Sequence, residues 1–472
     1  MSLSSCGFIR KPGDLSFEPY LLETRDGQKI DAELGRLIVP ETRNSANCRL
    51  IQLAFVRLRS AARNPGPPIV FLPGGPGQSG IEQAKGPRSS VILAMREIGD
   101  VIAIDQRGVG LSQPELSCNQ TLDFPLDQPA SREALLSLFK QRARACADYW
   151  KRQGTDLSAY NTNESADDVE ALRQALGVDK IALLANSYGT TVALTIIRRH
   201  GQHIQRAIMV GTEAPDQTLK LPNNIQKALI ELARRCRDDS RLGAAIPDLI
   251  KLLESVSEGL RNHPATIAVT DATTKRQVTI TLGDFDLRLM ALEQISREPG
   301  IARFPAQLYS MSRGDFSSLA EWALDYRRQG MSAMAAAMDC ASGVSPERWG
   351  RIKDQENETT LGRDMDFPFP EVCEAWGVPN LEPAYRSQLT SEVPVLFISG
   401  TLDPRTPPGN AEEIQKGFRN SASVIIEGVG HKDRLFNGSP QIEQVMLEFF
   451  KGLPVSTHRI DVPFEFDPPP RL

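Results

Sequence analysis

Three residues stand at spacings that suit nucleophilic chemistry. Ser187 lies in Leu184-Ala185-Asn186-Ser187-Tyr188-Gly189-Thr190, with small residues two positions to either side. A sharp turn from a strand into a helix needs that pattern, because bulky side chains at those two positions would collide. Such a turn exposes the serine hydroxyl and aims the N-terminus of the following helix at a reacting carbonyl. Ala185 stands where glycine is usual. A serine hydroxyl is a weak nucleophile until a base takes its proton. Of the five histidines, His200 and His203 end the helix after Ser187, His263 precedes Pro264 in a loop, and His458 lies near the C-terminus. His431 alone follows a short apolar run, in Gly428-Val429-Gly430-His431, and is the expected general base. Asp403, in Gly400-Thr401-Leu402-Asp403-Pro404, falls between the serine and the histidine and would fix the imidazole tautomer. Asp433 competes for that role but is expected to face solvent. Each residue has a plainer reading: a helix-capping serine, a strand-end histidine, a turn-forming aspartate before proline. Their common order and common position beyond apolar runs favour acyl transfer.

The stabilising donors for such chemistry are expected from Pro73-Gly74-Gly75-Pro76-Gly77, another loop that follows an apolar run. The Gly75 and Tyr188 N–H groups are assigned as the oxyanion hole. Asp105 and Arg107, in Asp105-Gln106-Arg107-Gly108-Val109-Gly110, are expected to anchor a loop by charge-assisted hydrogen bonds rather than to react.

The elements that must position these groups are short apolar runs without polar alternation: residues 69–72, 101–104, 181–184, 207–210, 395–398 and 423–426. Such runs suit strands buried on both faces. Helical segments between them, such as 165–176 opening with Ser165 as its cap, imply a parallel sheet with right-handed crossovers. Residues 27–39 and 48–58 read as a preceding strand pair. From about 217 to 390 the buried-strand pattern gives way to helical periodicity, as in 225–237 and 317–329, with 277–282 alone strand-like. The chain therefore divides into a first core part (1–216), a mainly helical inserted cap (217–390) and a second core part (391–472). Its Pro-rich end, from Asp467 to Leu472, is expected to be a loose extension.

The 472 residues are 40% hydrophobic and 24% charged, with a formal net charge of -5. That mildly acidic balance, without a run of basic residues, argues against a nucleic-acid partner. No stretch is apolar for long enough to span a bilayer. Residues 331–338, the nearest approach, read as a buried helical turn, and Met1 to Arg10 carry no secretory pattern. Seven cysteines (6, 48, 118, 146, 236, 340 and 373) leave at least one thiol free, and no Cys-x-x-Cys pair points to a metal site. No metal or other cofactor is expected.

Pro-Gly-Gly-Pro-Gly-x-Ser-Gly from Pro73, Asp-Gln-Arg-Gly-x-Gly-x-Ser from Asp105 and Ser-Tyr-Gly-Thr from Ser187, in that order, resemble the α/β-hydrolases of the proline iminopeptidase and tripeptidyl aminopeptidase group. The loop begins with Pro73, as in the tripeptidyl branch, where the iminopeptidases usually have histidine. The resemblance implies an α/β-hydrolase fold with a helical cap. It also implies release of residues or short peptides from free N-termini, the substrate ammonium being met by acidic side chains. Glu213 and Asp339 are the candidates for that role. It further implies pairing of Cys118 with Cys146 and of Cys340 with Cys373, as in exported members. That sits against the missing secretory pattern and leaves the compartment open, with a lean toward export. An esterase or amidase using the same three residues is the alternative activity. A catalytically dead fold used for binding is a third reading, which would be expected to lack one of the three.

Overall fold

The computed structural model describes residues 11–43, 49–118 and 124–468. Its strands are, in chain order, β1 (Leu15–Glu23), β2 (Lys29–Pro40), β3 (Leu50–Leu58), β4 (Ile69–Leu72), β5 (Val101–Asp105), β6 (Ser117–Cys118), β7 (Ile181–Ser187), β8 (Ile204–Thr212), β9 (Ala265–Thr270), β10 (Gln277–Leu282), β11 (Met331–Ser332), β12 (Val395–Gly400), β13 (Ser421–Glu427) and β14 (Arg459–Asp461). Among the described residues ten of them form one sheet, ordered β1-β2-β3-β5-β4-β7-β8-β12-β13-β14. The first four pair antiparallel, and β5 through β14 run parallel.

The parallel strands are apolar on both faces because helices cover both faces. Along β7, Ile181, Leu183 and Ala185 enter one core cluster while Ala182 and Leu184 enter the other. Asp105 and Arg107 anchor loops as expected. The Asp105 carboxylate accepts from Ser79 Oγ (2.5 Å), Ile81 N (3.1 Å) and Leu111 N (2.9 Å). Buried Arg107 donates to both oxygens of Asp168 (2.7 and 2.8 Å) and to the carbonyls of Glu41 and Ala159.

Several expectations need correction. The helix placed at 165–176 runs Thr162–Ala175; Asn161 is its cap, accepting from Glu164 N at 3.0 Å, and Ser165 lies inside it. An Asn in extended backbone outcompetes a serine one turn later, since the first free N–H groups lie beside it. Strand-like 277–282 has a partner, β9, whose alternating exposure hid it among helical segments. Residues 331–338 begin as β11, paired with β6, before the helix Ala333–Ser342. The expected loose extension, Asp467 to Leu472, is described only at its first two residues, and the chain before it is packed. β14 extends the sheet beside β13, Phe466 is buried, and Asp467 N donates to Ala302 O at 3.1 Å. Residues 469–472, Met1 to Arg10, and Cys6 and Cys48 lie outside the described residues.

Between β8 and β12 the helices Pro222–Asp238, Leu249–Asn262, Asp284–Gln294, Gly300–Ser312 and Ser317–Arg328 share a separate apolar cluster. The helix Ala333–Ser342 instead packs into the cluster beneath the sheet, alongside Tyr188 and Val192. Cys118 is bonded to Cys146 and Cys340 to Cys373, while Cys236 is a buried free thiol. Among the described residues no helix is long and apolar enough to cross a membrane.

Candidate active site

Parallel strands deliver their C-terminal ends to one edge of the sheet, and the loops beyond those ends meet there. Ser187 closes β7 with φ 52° and ψ -129°, a left-handed backbone that a serine rarely adopts. The helix Tyr188–His200 starts immediately after it. The turn is tight on every side. A carbon added at Gly189 would lie 2.2 Å from Leu72 O, and one at Gly74 would lie 2.9 Å from Ser187 Cβ. The loop after β4 thus abuts the serine, and Gly75 lines the same cavity as Ser187. The Tyr188 side chain is buried, its hydroxyl bonded to Thr162 Oγ1 (2.8 Å) and Ser342 Oγ (2.7 Å).

His431 follows β13 and Asp403 follows β12. Ser187 Oγ lies 2.9 Å from His431 Nε2, and His431 Nδ1 lies 2.7 Å from Asp403 Oδ2. Asp403 is 2% exposed. Burial alone would raise its pKa. The facing His431 and hydrogen bonds from Thr406 overcome this and hold the carboxyl below its ordinary value. Its second oxygen accepts from the N–H groups of Arg405 and Thr406, both at 2.9 Å.

Thr406 was not singled out in the sequence. Its hydroxyl donates to Asp403 Oδ2 at 2.6 Å and lies 2.8 Å from His431 Nδ1. The available signal was its place three residues after Asp403, where the carboxylate of an Asx-type turn accepts from the backbone that follows it. Asp433, expected to face solvent, is only partly exposed and is ion-paired: it accepts from Arg88 Nε at 2.8 Å, since Arg88 is buried and needs an anion. His200 pairs with Asp167 (2.8 Å) and His458 Nδ1 lies 3.1 Å from Ser423 O, both away from the serine. Two residues from the segment between β8 and β12 hold the loop of His431. Ser296 O accepts from His431 N at 2.7 Å, and Glu298 Oε1 accepts from Gly430 N at 2.8 Å.

Glu213 and Asp339 both line a second cavity of about 160 Å³ that also reaches Gly75 and Tyr188. Glu213 is buried and already carries a cation: Lys220 Nζ lies 2.5 Å from its Oε2. Asp339 is pushed up to about 8, chiefly by burial. Lys220 opposes that rise and Glu213 adds to it.

A hydroxyl, an imidazole and a buried carboxylate in hydrogen-bonded series, set at the carboxyl edge of this sheet, define a serine hydrolase of the α/β fold. The chain belongs to the alpha/beta hydrolase fold family, whose pattern matches residues 67–437. It is similar to the serine protease Hip1 of Mycobacterium tuberculosis, at 25% identity over 447 residues, 89% of this chain and 85% of that one. It is also similar to the tripeptidyl aminopeptidase of Streptomyces lividans, at 25% over 390 residues, 77% of this chain and 70% of that one. Carboxylesterase B of Mycobacterium tuberculosis is 23% identical over 443 residues, 84% of this chain and 80% of that one.

Proposed function

We propose that the protein is a serine aminopeptidase that releases N-terminal residues or short peptides from unblocked peptides through an acyl-enzyme on Ser187. The single observation that carries acyl transfer is the hydrogen-bonded series Ser187–His431–Asp403, at 2.9 and 2.7 Å, and the similarity to a tripeptidyl aminopeptidase supports a peptide substrate for it. His431 Nε2 takes the hydroxyl proton as Ser187 Oγ attacks the carbonyl. Asp403 holds Nδ1–H toward itself and stabilises the imidazolium. The Gly75 and Tyr188 N–H groups receive the developing oxyanion, at the mouth of a helix whose dipole favours negative charge. His431 returns its proton to the leaving amine, then activates the water that frees the acyl product. Asp339 meets the substrate ammonium and loses its proton as it does so, with Glu213, already paired with Lys220, beside it. In this reading residues 217–390 act as the cap over a core built from 1–216 and 391–472, and the paired cysteines fit an oxidising compartment.

A carboxylesterase or amidase acting on small esters or amides is the second reading. It is favoured by Lys220, which already neutralises Glu213 and leaves Asp339 as the one unpaired acid of the two. Aminoacyl and tripeptidyl p-nitroanilides with free and with acetylated N-termini, assayed beside p-nitrophenyl esters, separate the two. The first reading expects the free amides to turn over and acetylation to abolish it. Undiminished cleavage of acetylated substrates would overturn it in favour of the second.

A further inference from the structure

The cavity directly in front of Ser187 and His431, about 310 Å³, has an unbalanced charge lining. Four cations face it: Arg88, Arg297, Arg405 and Lys432. Its two carboxylates, Glu293 and Asp364, are already engaged. Asp364 takes Arg132 Nε at 2.8 Å and Arg288 Nη1 at 3.4 Å, and Glu293 takes Arg297 and the indole N–H of Trp322. Two of the cations are matched, Arg297 by Glu293 and Arg88 by Asp433 at 2.8 Å, and the other two are not. Arg405 reaches its nearest carboxylate, Asp366, only at 3.8 Å and otherwise touches Met365 Sδ. Lys432 makes no ion pair among the described residues. Arg88 is 4% exposed, and its Nη1 has no hydrogen-bond partner. Burial lowers the pKa of Arg297, and the neighbouring Arg405 lowers it further; burial and then Arg297 do the same to Lys432. Cations that destabilise one another beside a nucleophile form a site that an anion completes.

We propose that this cavity takes the carboxylate of the substrate, gripped by Arg297, Arg405 and Lys432, so that the enzyme acts on short peptides carrying an acidic side chain or a nearby free C-terminus. The inference rests on the catalytic reading above and adds the substrate class. The neighbouring cavity, with Glu213, Asp339 and Asp366, shares Gly75 and Arg405 with this one. A peptide laid across Ser187 therefore meets three acids on one side, one of them already paired with Lys220, and bases on the other. An ammonium group is repelled from the larger cavity, so the charged ends of the substrate fix which bond reaches the serine. The stacked rings of Trp322 and Tyr326, 4.9 Å apart, supply apolar wall for the carbon stem of an acidic side chain.

The test measures binding without turnover, on Ser187→Ala protein by calorimetry. The probes are amidated Glu-Ala-Ala, Ala-Glu-Ala and Ala-Ala-Glu, each against its Gln counterpart, and Ala-Ala-Ala with free against amidated C-terminus. At least one acid is expected to bind about tenfold tighter than its neutral partner at low salt, the scale of one charge-assisted hydrogen bond. That preference should shrink at high salt and fall toward parity in Arg297→Gln/Lys432→Gln protein. The single Lys432→Gln variant changes a side chain that is only partly buried and makes no ion pair among the described residues, and it guards against loss of fold. No preference in any pair, no binding of any acid, or a preference that the variants leave intact would overturn the proposal. Labelling of the wild-type serine by a neutral fluorophosphonate separates the two readings. Labelling without acid preference removes the anionic subsite alone. Acid preference without labelling removes the catalytic reading alone.

Discussion

Ser187 and Thr406 mark the two ends of what single residues disclose. Ser187 is legible because its neighbours are constrained: a turn this tight tolerates only small residues at 185 and 189, so the chemistry leaves a sequence trace. Thr406 leaves none, because a threonine in a loop is ordinary until β12 and β13 bring Asp403 and His431 to either side of its hydroxyl. With that hydroxyl holding Oδ2 of Asp403, Thr406→Val should lower kcat about tenfold with KM little changed, the scale of one hydrogen bond to a charged group. Thr406→Ser should restore most of the rate. Steady-state kinetics on a p-nitrophenyl ester checks both variants. Lys220 was equally invisible, since its pairing with Glu213 depends on how 214–219 fold back. Asp339 gives a pH signature. The folded protein keeps its proton to about pH 8, whereas an unfolded chain releases it near the ordinary value of 3.8. Folding therefore binds a proton between those limits, and this group's contribution to stability falls as pH rises through them. Asp339→Asn removes that term, so the melting temperature of the variant minus that of wild type should increase from pH 5 to pH 8. A difference independent of pH would contradict the assignment.

At the scale of elements, the strands buried on both faces were readable and the edges were not. Runs such as 181–184 and 395–398 have no polar alternation because helices cover both sides of the sheet, and that composition is distinctive. β1 is mostly exposed and β9 alternates, and neither was anticipated. The start of the helix Thr162–Ala175 was misplaced because two capping residue types, Asn161 and Ser165, lie one turn apart. The pairing of cysteines belongs to the same scale. Cys118–Cys146 closes 28 residues and Cys340–Cys373 closes 33, and both join segments that pack against the sheet's core cluster. By loop-closure entropy each contributes about 4 kcal/mol. Cys340→Ser/Cys373→Ser protein should therefore melt several degrees lower than wild type in calorimetry, and reductant should lower the wild type in the same direction. Alkylation under denaturing, non-reducing conditions should leave these four sulfurs unlabelled.

At the scale of the molecule, the segment between β8 and β12 reaches the catalytic edge in a way that periodicity along its helices does not disclose. Ser296 and Glu298 hold the backbone of His431 and Gly430, so the base is positioned from both sides of the cavity. Glu298→Ala leaves the buried Gly430 N–H without its partner. It should lower kcat severalfold while Ser187 stays reactive to fluorophosphonate. Unchanged kcat would show that the loop holds itself. The charge lining of the cavity is a whole-molecule property too, assembled from residues 88, 297, 405 and 432, far apart in sequence. The central claim, that Ser187 carries the acyl group, is tested most directly by acid-quenching the enzyme during turnover of a p-nitrophenyl ester and weighing its peptides. The account predicts an acyl adduct on the peptide containing Ser187, accumulating with a burst of p-nitrophenol and absent from Ser187→Ala protein. An adduct elsewhere, or hydrolysis undiminished in Ser187→Ala protein, would contradict it.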